Sequence, residues 1–188
     1  LVGSEMCIRD RMYANEFDIE GLVYSSSQWH YAGDGKGTRF TSQMPNTAKM
    51  YGEKTDLRWP GTSWMEEYIG FYSEIYGNLL LHDKDYPSPE YLMSLIRVGQ
   101  IEFEGEMDKD TDGSNLIKQV LLDEEDGPVH LQAWGGTNTI ARALKSIEEE
   151  YSGTEDWERI SKKVSNKAVI YIILDQDATY RNYISKSW

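Results

Sequence analysis

From Tyr13 onward the apolar positions fall into short runs with two periods. "IEGLVYSS" (19–26) reads as a strand running into a polar turn. Trp64, Tyr68, Phe71, Ile75 and Leu79 recur at i, i+4, i+7, i+11 and i+15, predicting a helix with that face inward. Ser88 before Pro89 and Glu90 predicts an N-cap with Pro at the first helical position, and a helix reaching about Gly99. Leu116, Ile117, Val120 and Leu121 predict a short helix over 115–122. "PVHLQAW" (128–134) alternates like a strand. Ile140, Leu144, Ile147 and Tyr151 give the next helical face. Thr154 is placed to cap a further helix with Trp157, Ile160 and Val164 inward, and "AVIYIIL" (168–174) has the length and branching of a buried strand. The closing residues read as the start of a last helix. Strands alternating with helices predict a layered α/β sheet.

Two stretches lack a period. Residues 27–62, rich in Gly and aromatics, predict a long loop. Leu1–Arg11 shows neither helical nor strand character. "LVGSEMCIRDR" has no basic start, apolar stretch and small-residue cleavage site in signal-peptide order. It resembles the translation of a short sequencing adapter found at the ends of metagenomic gene predictions. Residues 1–11 are therefore expected to be non-native, with one partial domain over 12–188. The native start and any targeting signal would then lie outside this sequence.

Composition narrows the function. The 188 residues carry 32 acidic against 19 basic side chains, a net charge of −13, with no Lys/Arg-rich stretch. Nucleic-acid binding, which draws its affinity from cations on phosphates, is not expected. No apolar run approaches the roughly 20 residues needed to span a bilayer, so no membrane partner is expected. The single Cys7 excludes an internal disulfide and Cys-ligated zinc.

Three strand-end clusters could carry chemistry. In "ILDQDATYRNYI" (173–184) a strand ends in Asp175 and Asp177, which could hold a metal, a sugar hydroxyl or a proton. The same two residues read equally well as helix N-caps. In "AWGGTNTIARAL" (133–144), Gly135 and Gly136 would let backbone approach a ligand. Thr137 and Asn138 sit where helix N–H groups point outward, and Trp134 could offer an aromatic face. A plain strand-to-helix turn explains the same residues. In "SSSQWHYAGDGKG" (25–37), Gln28, Trp29 and His30 follow a strand end, with a solvated loop as the simpler reading. "DKDTDGS" (108–114) imitates the opening of a calcium loop but has Gln119 where a bidentate Glu belongs, so a solvated loop is expected. The six Trp and 13 Tyr invite a carbohydrate-binding reading, although Trp64, Tyr68, Tyr151 and Trp157 are expected in the core.

Taken together, "YANEFDIEGLVYSSSQWH", "YPSPEYLMSLIRVGQ", "DGSNLI", "WGGTNTIARAL" and "ILDQDATYRNYI" resemble, in order and spacing, the nucleoside hydrolase-like domain of bacterial proteins often called cellulose-binding. The resemblance implies a Rossmann-like layered sheet, here lacking its first strand and its C-terminal part. It implies a parent that hydrolyses N-glycosidic or related glycosidic bonds with calcium at the strand carboxyl ends. This chain is expected to be inactive and to bind no calcium tightly, because the acidic first-strand cluster is missing. The alternative is a non-catalytic cellulose-binding module. The partner is expected to be a nucleoside or carbohydrate, touched by Gln28, Trp29, His30, Trp134, Gly135, Gly136, Asn138, Asp175 and Asp177. A secreted or periplasmic location follows from the resemblance alone.

Overall fold

The computed structural model describes residues 13–188, so the expectation for 1–11 lies outside the described residues. In chain order the elements are β1 (Leu22–Tyr24), β2 (Phe40–Thr41), α1 (Pro45–Tyr51), β3 (Glu53–Lys54), α2 (Trp64–His82) and α3 (Pro89–Ser94). They continue with β4 (Ile96–Val98), α4 (Asp112–Leu122), β5 (Val129–Ala133), α5 (Asn138–Tyr151), α6 (Trp157–Lys167) and β6 (Ala168–Ile172). A π-helical segment, Tyr180–Ile184, follows. The fold is mixed α/β with small two-stranded sheets, β1 with β4, β2 with β3, and β5 with β6. None of the described helices is long and apolar enough to cross a membrane.

Two units make up the chain, one from residues 13–23 and Pro60–Arg97, the other from Tyr24–Trp59 and Val98–Trp188. The first unit packs Ile69, Tyr72 and Leu79 of α2 on Leu92 of α3. This corrects the predicted inner face of α2. Phe71 and Ile75 are exposed, and Trp64, Tyr68 and Phe71 instead meet edge to face along the helix. Residues 69, 72, 76 and 79 have the same helical period as 64, 68, 71 and 75, so periodicity alone could not choose between the two stripes. Helix α3 begins as expected, with the Ser88 hydroxyl accepting from the Tyr91 N–H at 3.1 Å. It stops at Ser94, before β-branched Ile96 and Val98 form β4.

The second unit holds the larger core. Strands β5 and β6 run parallel, in register from Val129 opposite Ala168 to Ala133 opposite Ile172. Their connection contains α5 and α6, as a parallel crossover requires. Ile140, Leu144 and Ile147 of α5, Ile160 and Val164 of α6, Leu121 of α4, and Leu131 and Ala133 of β5 fill the space between. Helix α4 starts three residues earlier than predicted. Thr111 and Ser114 form a reciprocal capping box there, which places the imitation calcium loop at a helix start. The predicted loop 27–62 contains β2, α1 and β3, with Phe40 paired to Lys54 and Thr41 to Glu53. Phe40 of β2 stacks on Phe103 and meets Tyr31 edge-on, an aromatic contact with no local period to reveal it.

Candidate ligand site at the strand ends

Four chain segments following β1, β4, β5 and β6 converge in the second unit, and backbone polarity explains why they stay together. Each leaves a strand with N–H and C=O groups that a buried junction must satisfy. The Ser26 N–H donates to Gln100 O at 2.7 Å, and the Gly136 N–H donates to Ser26 O at 2.9 Å. The Ser26 hydroxyl donates to Phe103 O at 2.8 Å and accepts from Asn138 Nδ2 at 2.8 Å. Thr139 Oγ1 accepts from the Gln100 N–H at 3.0 Å. The Gln28 N–H donates to Gln176 O at 3.1 Å, while Gln176 Nε2 donates to Trp134 O at 3.2 Å. Gln176 thus ties three junctions.

The predicted residues divide into two layers. Gln28, Trp29, His30, Trp134, Gly135 and Asp175 are half-buried and retain solvent contact. The Thr47 hydroxyl donates to Gln28 Oε1 at 2.6 Å, and the Trp29 ring meets Tyr51 edge-on at 6.2 Å. Trp134 meets exposed Tyr171 edge-on at 5.8 Å. Burial, and then the Arg58 charge, pull the His30 imidazole below its ordinary 6.5 and favour its neutral form.

The second layer is closed. Gly136, Asn138 and Asp177 are buried, the last two at 0% and 1% exposure. Asp177 Oδ2 accepts from the Asn138 N–H at 2.8 Å. Its Oδ1 accepts from the Thr179 N–H at 3.1 Å and from the Thr179 and Thr137 hydroxyls at 2.7 and 3.2 Å. Thr137, at the N-cap of α5, makes no side-chain cap of its own, so Asp177 caps the helix from another strand end. Asn138 and Asp177, read from the sequence as ligand contacts, commit their polar atoms inward here and shape the junction from beneath. Asp175 also caps, accepting from the Tyr180 and Arg181 N–H groups at 3.2 and 3.1 Å, but at the surface.

Close approach makes this possible. A Cβ on Gly136 would lie 2.3 Å from Asp177 Oδ2 and 2.6 Å from Ser26 O, while one on Gly135 would meet nothing nearer than 3.5 Å. Leu174 and Ala178 flank the acidic pair at φ 70° and 63°, left-handed positions that non-glycine residues seldom adopt. Beneath the junction, burial chiefly pushes the Glu104 carboxyl up, Asp177 adds to this, and the Ser42 hydroxyl and Gln43 N–H oppose it. Ser26, Gln176 and Thr179 are not singled out by the sequence. The Ser run at 25–27 stands at the strand end and Gln100 closes "YPSPEYLMSLIRVGQ", whereas Glu104 lies in a stretch with no distinguishing motif.

Calcium, implied by the family resemblance, needs several oxygen donors facing one point. Among the described residues no group of three His, Cys, Asp or Glu could hold a metal ion. Both Asp177 oxygens are occupied, and Trp134 O already accepts from Gln176. The described residues therefore do not fit the ion.

Comparison with known proteins agrees with the geometry. A nucleoside hydrolase-related hypothetical protein from Saccharophagus degradans, associated with carbohydrate metabolism, superposes with a TM-score of 0.69 at 26% identity. The match covers 96% of this chain and 38% of that one, so the chain spans less than two-fifths of the relative's length. No curated protein matches the chain. Residues 4–188 match the family described as "Cellulose-binding Sde182, nucleoside hydrolase-like domain", beginning inside the segment expected to be non-native. The chain belongs to this cellulose-binding, nucleoside hydrolase-like domain family.

Proposed function

We propose that the chain binds a carbohydrate at the strand-end surface edged by Trp29, Trp134 and Gly135. The observation that carries this reading is the knitting of four strand-end segments into one junction, with two half-buried Trp side chains on neighbouring segments. Sugars present apolar C–H faces and a ring of hydroxyls, and this site offers indole surface, amides and a carboxylate to match. His30 in neutral form would accept from a hydroxyl, and the outer edges of Gln28 and Asp175 would fix orientation. Family membership supports a saccharide over other ligands of the same polarity.

The test is titration with soluble cello-oligosaccharides and pull-down on cellulose, using Trp29→Ala and Trp134→Ala. Each substitution is expected to weaken binding about tenfold, the equivalent of the roughly 1.4 kcal/mol a stacked ring contributes. Unchanged affinity in both variants would remove the basis for the site.

A second reading, hydrolysis of an N-glycosidic or related glycosidic bond by a longer protein containing this domain, draws on the nucleoside hydrolase-related neighbour. In that reading this chain supplies the wall of the pocket, and calcium would be held by residues beyond those described. Release of free ribose or reducing sugar by that longer protein, with and without calcium, tests it. No turnover on nucleosides or oligosaccharides would defeat it.

A further inference from the structure

Rossmann-like folds commonly hold phosphate where a Gly-rich turn leads from a strand into a helix, because the first helical N–H groups and the helix dipole face outward there. The segment Trp134–Asn138 has that layout, with two glycines between β5 and a 14-residue helix. Here the place is taken. Asp177 Oδ2 receives the Asn138 N–H at 2.8 Å, and the rest of the carboxylate is held by Thr137 and Thr179. Gly136 lacks a Cβ at the point where one would strike this carboxylate, at 2.3 Å. The glycine accommodates an internal anion, leaving no space for an external one.

We infer that Asp177 is a specificity determinant that keeps phosphate away from the strand-end junction, so that the site takes uncharged glycosyl ligands and rejects phosphorylated ones. This rests on the carbohydrate-binding reading for the glycosyl part only. A phosphate at the α5 N-terminus would have to displace a buried carboxylate with four hydrogen bonds, or sit against it. In a water-poor junction the repulsion between like charges is much stronger than in bulk solvent.

Two measurements on the full chain decide the matter. The backbone amide resonances of Asn138 and Thr139 are followed while inorganic phosphate is added, and cellobiose is compared with a 6-phosphorylated glucosyl ligand by titration calorimetry. In the wild type the amides should stay still. The phosphorylated ligand should bind at least about 10-fold more weakly, equivalent to about 1.4 kcal/mol. In Asp177→Ser, which removes the resident charge, phosphate should shift the Asn138 amide. Movement of that amide by phosphate in the wild type overturns the inference, as does equal affinity for the two sugars, or a folded Asp177→Ser that still ignores phosphate. If Asp177→Ser does not fold, the wild-type arms decide. Failure of every sugar to bind, with the amide unmoved by phosphate, would count against the carbohydrate reading while upholding phosphate exclusion.

Discussion

The adjacent glycines of the strand-to-helix turn should respond oppositely to the same substitution. In Gly136→Ala the new methyl would lie 2.3 Å from Asp177 Oδ2 and 2.6 Å from Ser26 O, where ordinary contact begins at 3.4 Å. Ser26 O is tied down, since it accepts from the Gly136 N–H itself. Asp177 would have to retreat by about an ångström, which breaks its 2.8 Å bond from the Asn138 N–H and leaves that donor buried and unpaired. An unpaired buried donor costs about 1–3 kcal/mol. Overpacking adds about 1–3 kcal/mol. The expected loss is thus near 4 kcal/mol, a large part of the roughly 5–15 kcal/mol that holds a domain together. In Gly135→Ala the nearest atoms are Ser26 O at 3.5 Å and Ser27 Cβ at 3.6 Å, and neither glycine has a positive φ. With no clash and a less flexible unfolded chain, that variant should remain within about 0.5 kcal/mol of wild type. Urea unfolding followed by tryptophan fluorescence, read as the midpoint at constant slope, separates the two. Equal midpoints for the two variants would show that Asp177 does not sit under Gly136 as described.

Other substitutions test the remaining contacts. Asp177→Asn should destabilise by about 2–4 kcal/mol by urea unfolding, because each carboxylate oxygen accepts a backbone N–H and an amide must turn its NH2 toward one of them. Arg142→Ala removes a buried guanidinium from Asp110, Glu149 and Met107 O, but both carboxylates keep enough exposure to rehydrate. A loss of about 1–2 kcal/mol in the same assay is expected, below that for breaking a fully buried pair. Glu106 is held above its ordinary 4.5 by burial first, then by Glu102 and Asp108, and its Oε2 is buried without a partner. A raised acid favours the folded state while protonated, so its contribution is present below pH 4.5 and lost as pH rises through the higher folded value. Glu106→Gln should therefore flatten the stability profile above pH 4.5, and an unchanged slope there would show that Glu106 is not the group responsible. The carboxylates of Glu149 and Glu150, lowered first by hydrogen bonds from Arg142 and Lys118, act in the opposite sense and at lower pH, so the two windows can be told apart.

Parts of the fold that depend on one element's own pattern were legible from the sequence. The alternation of "PVHLQAW" and the branched run from Ala168 predict strands where β5 and β6 form, but β6 ends at Ile172 and is not the buried strand expected, since Val169, Tyr171 and Leu174 are exposed; Ile140, Leu144 and Ile147 are buried on α5 as their spacing requires. Choices that depend on a partner were not legible. Helix α2 has two apolar stripes of equal period, and only packing on Leu92 selects the one through Ile69, Tyr72 and Leu79. The hairpin of β2 and β3 has two-residue strands, too short for any period to register.

The site shows the same limit more sharply. Sequence spacing placed Asp175 and Asp177 together at a strand end and left ligand contact and helix cap as equal readings. Both are caps, yet they differ in what they cap and in who can reach them. Asp175 serves the segment that follows it, within six residues, and stays at the surface. Asp177 serves a helix that begins 39 residues earlier, and its partner there, Thr137, carries a hydroxyl that could have done the capping locally. A cap supplied from a distant strand end leaves no trace in local sequence, because each half has an ordinary explanation by itself. Gly136 reads as a flexible turn residue until the carboxylate beneath it is seen. The informative pattern is the pair: a glycine just before a helix, and an Asp followed two residues later by Thr after the neighbouring parallel strand. A chain with Gly136 but without Asp177 would present an open helix N-terminus, and its ligand would be read as an anion. The chain with both closes that position to an external anion, because the carboxylate already holds the Asn138 N–H.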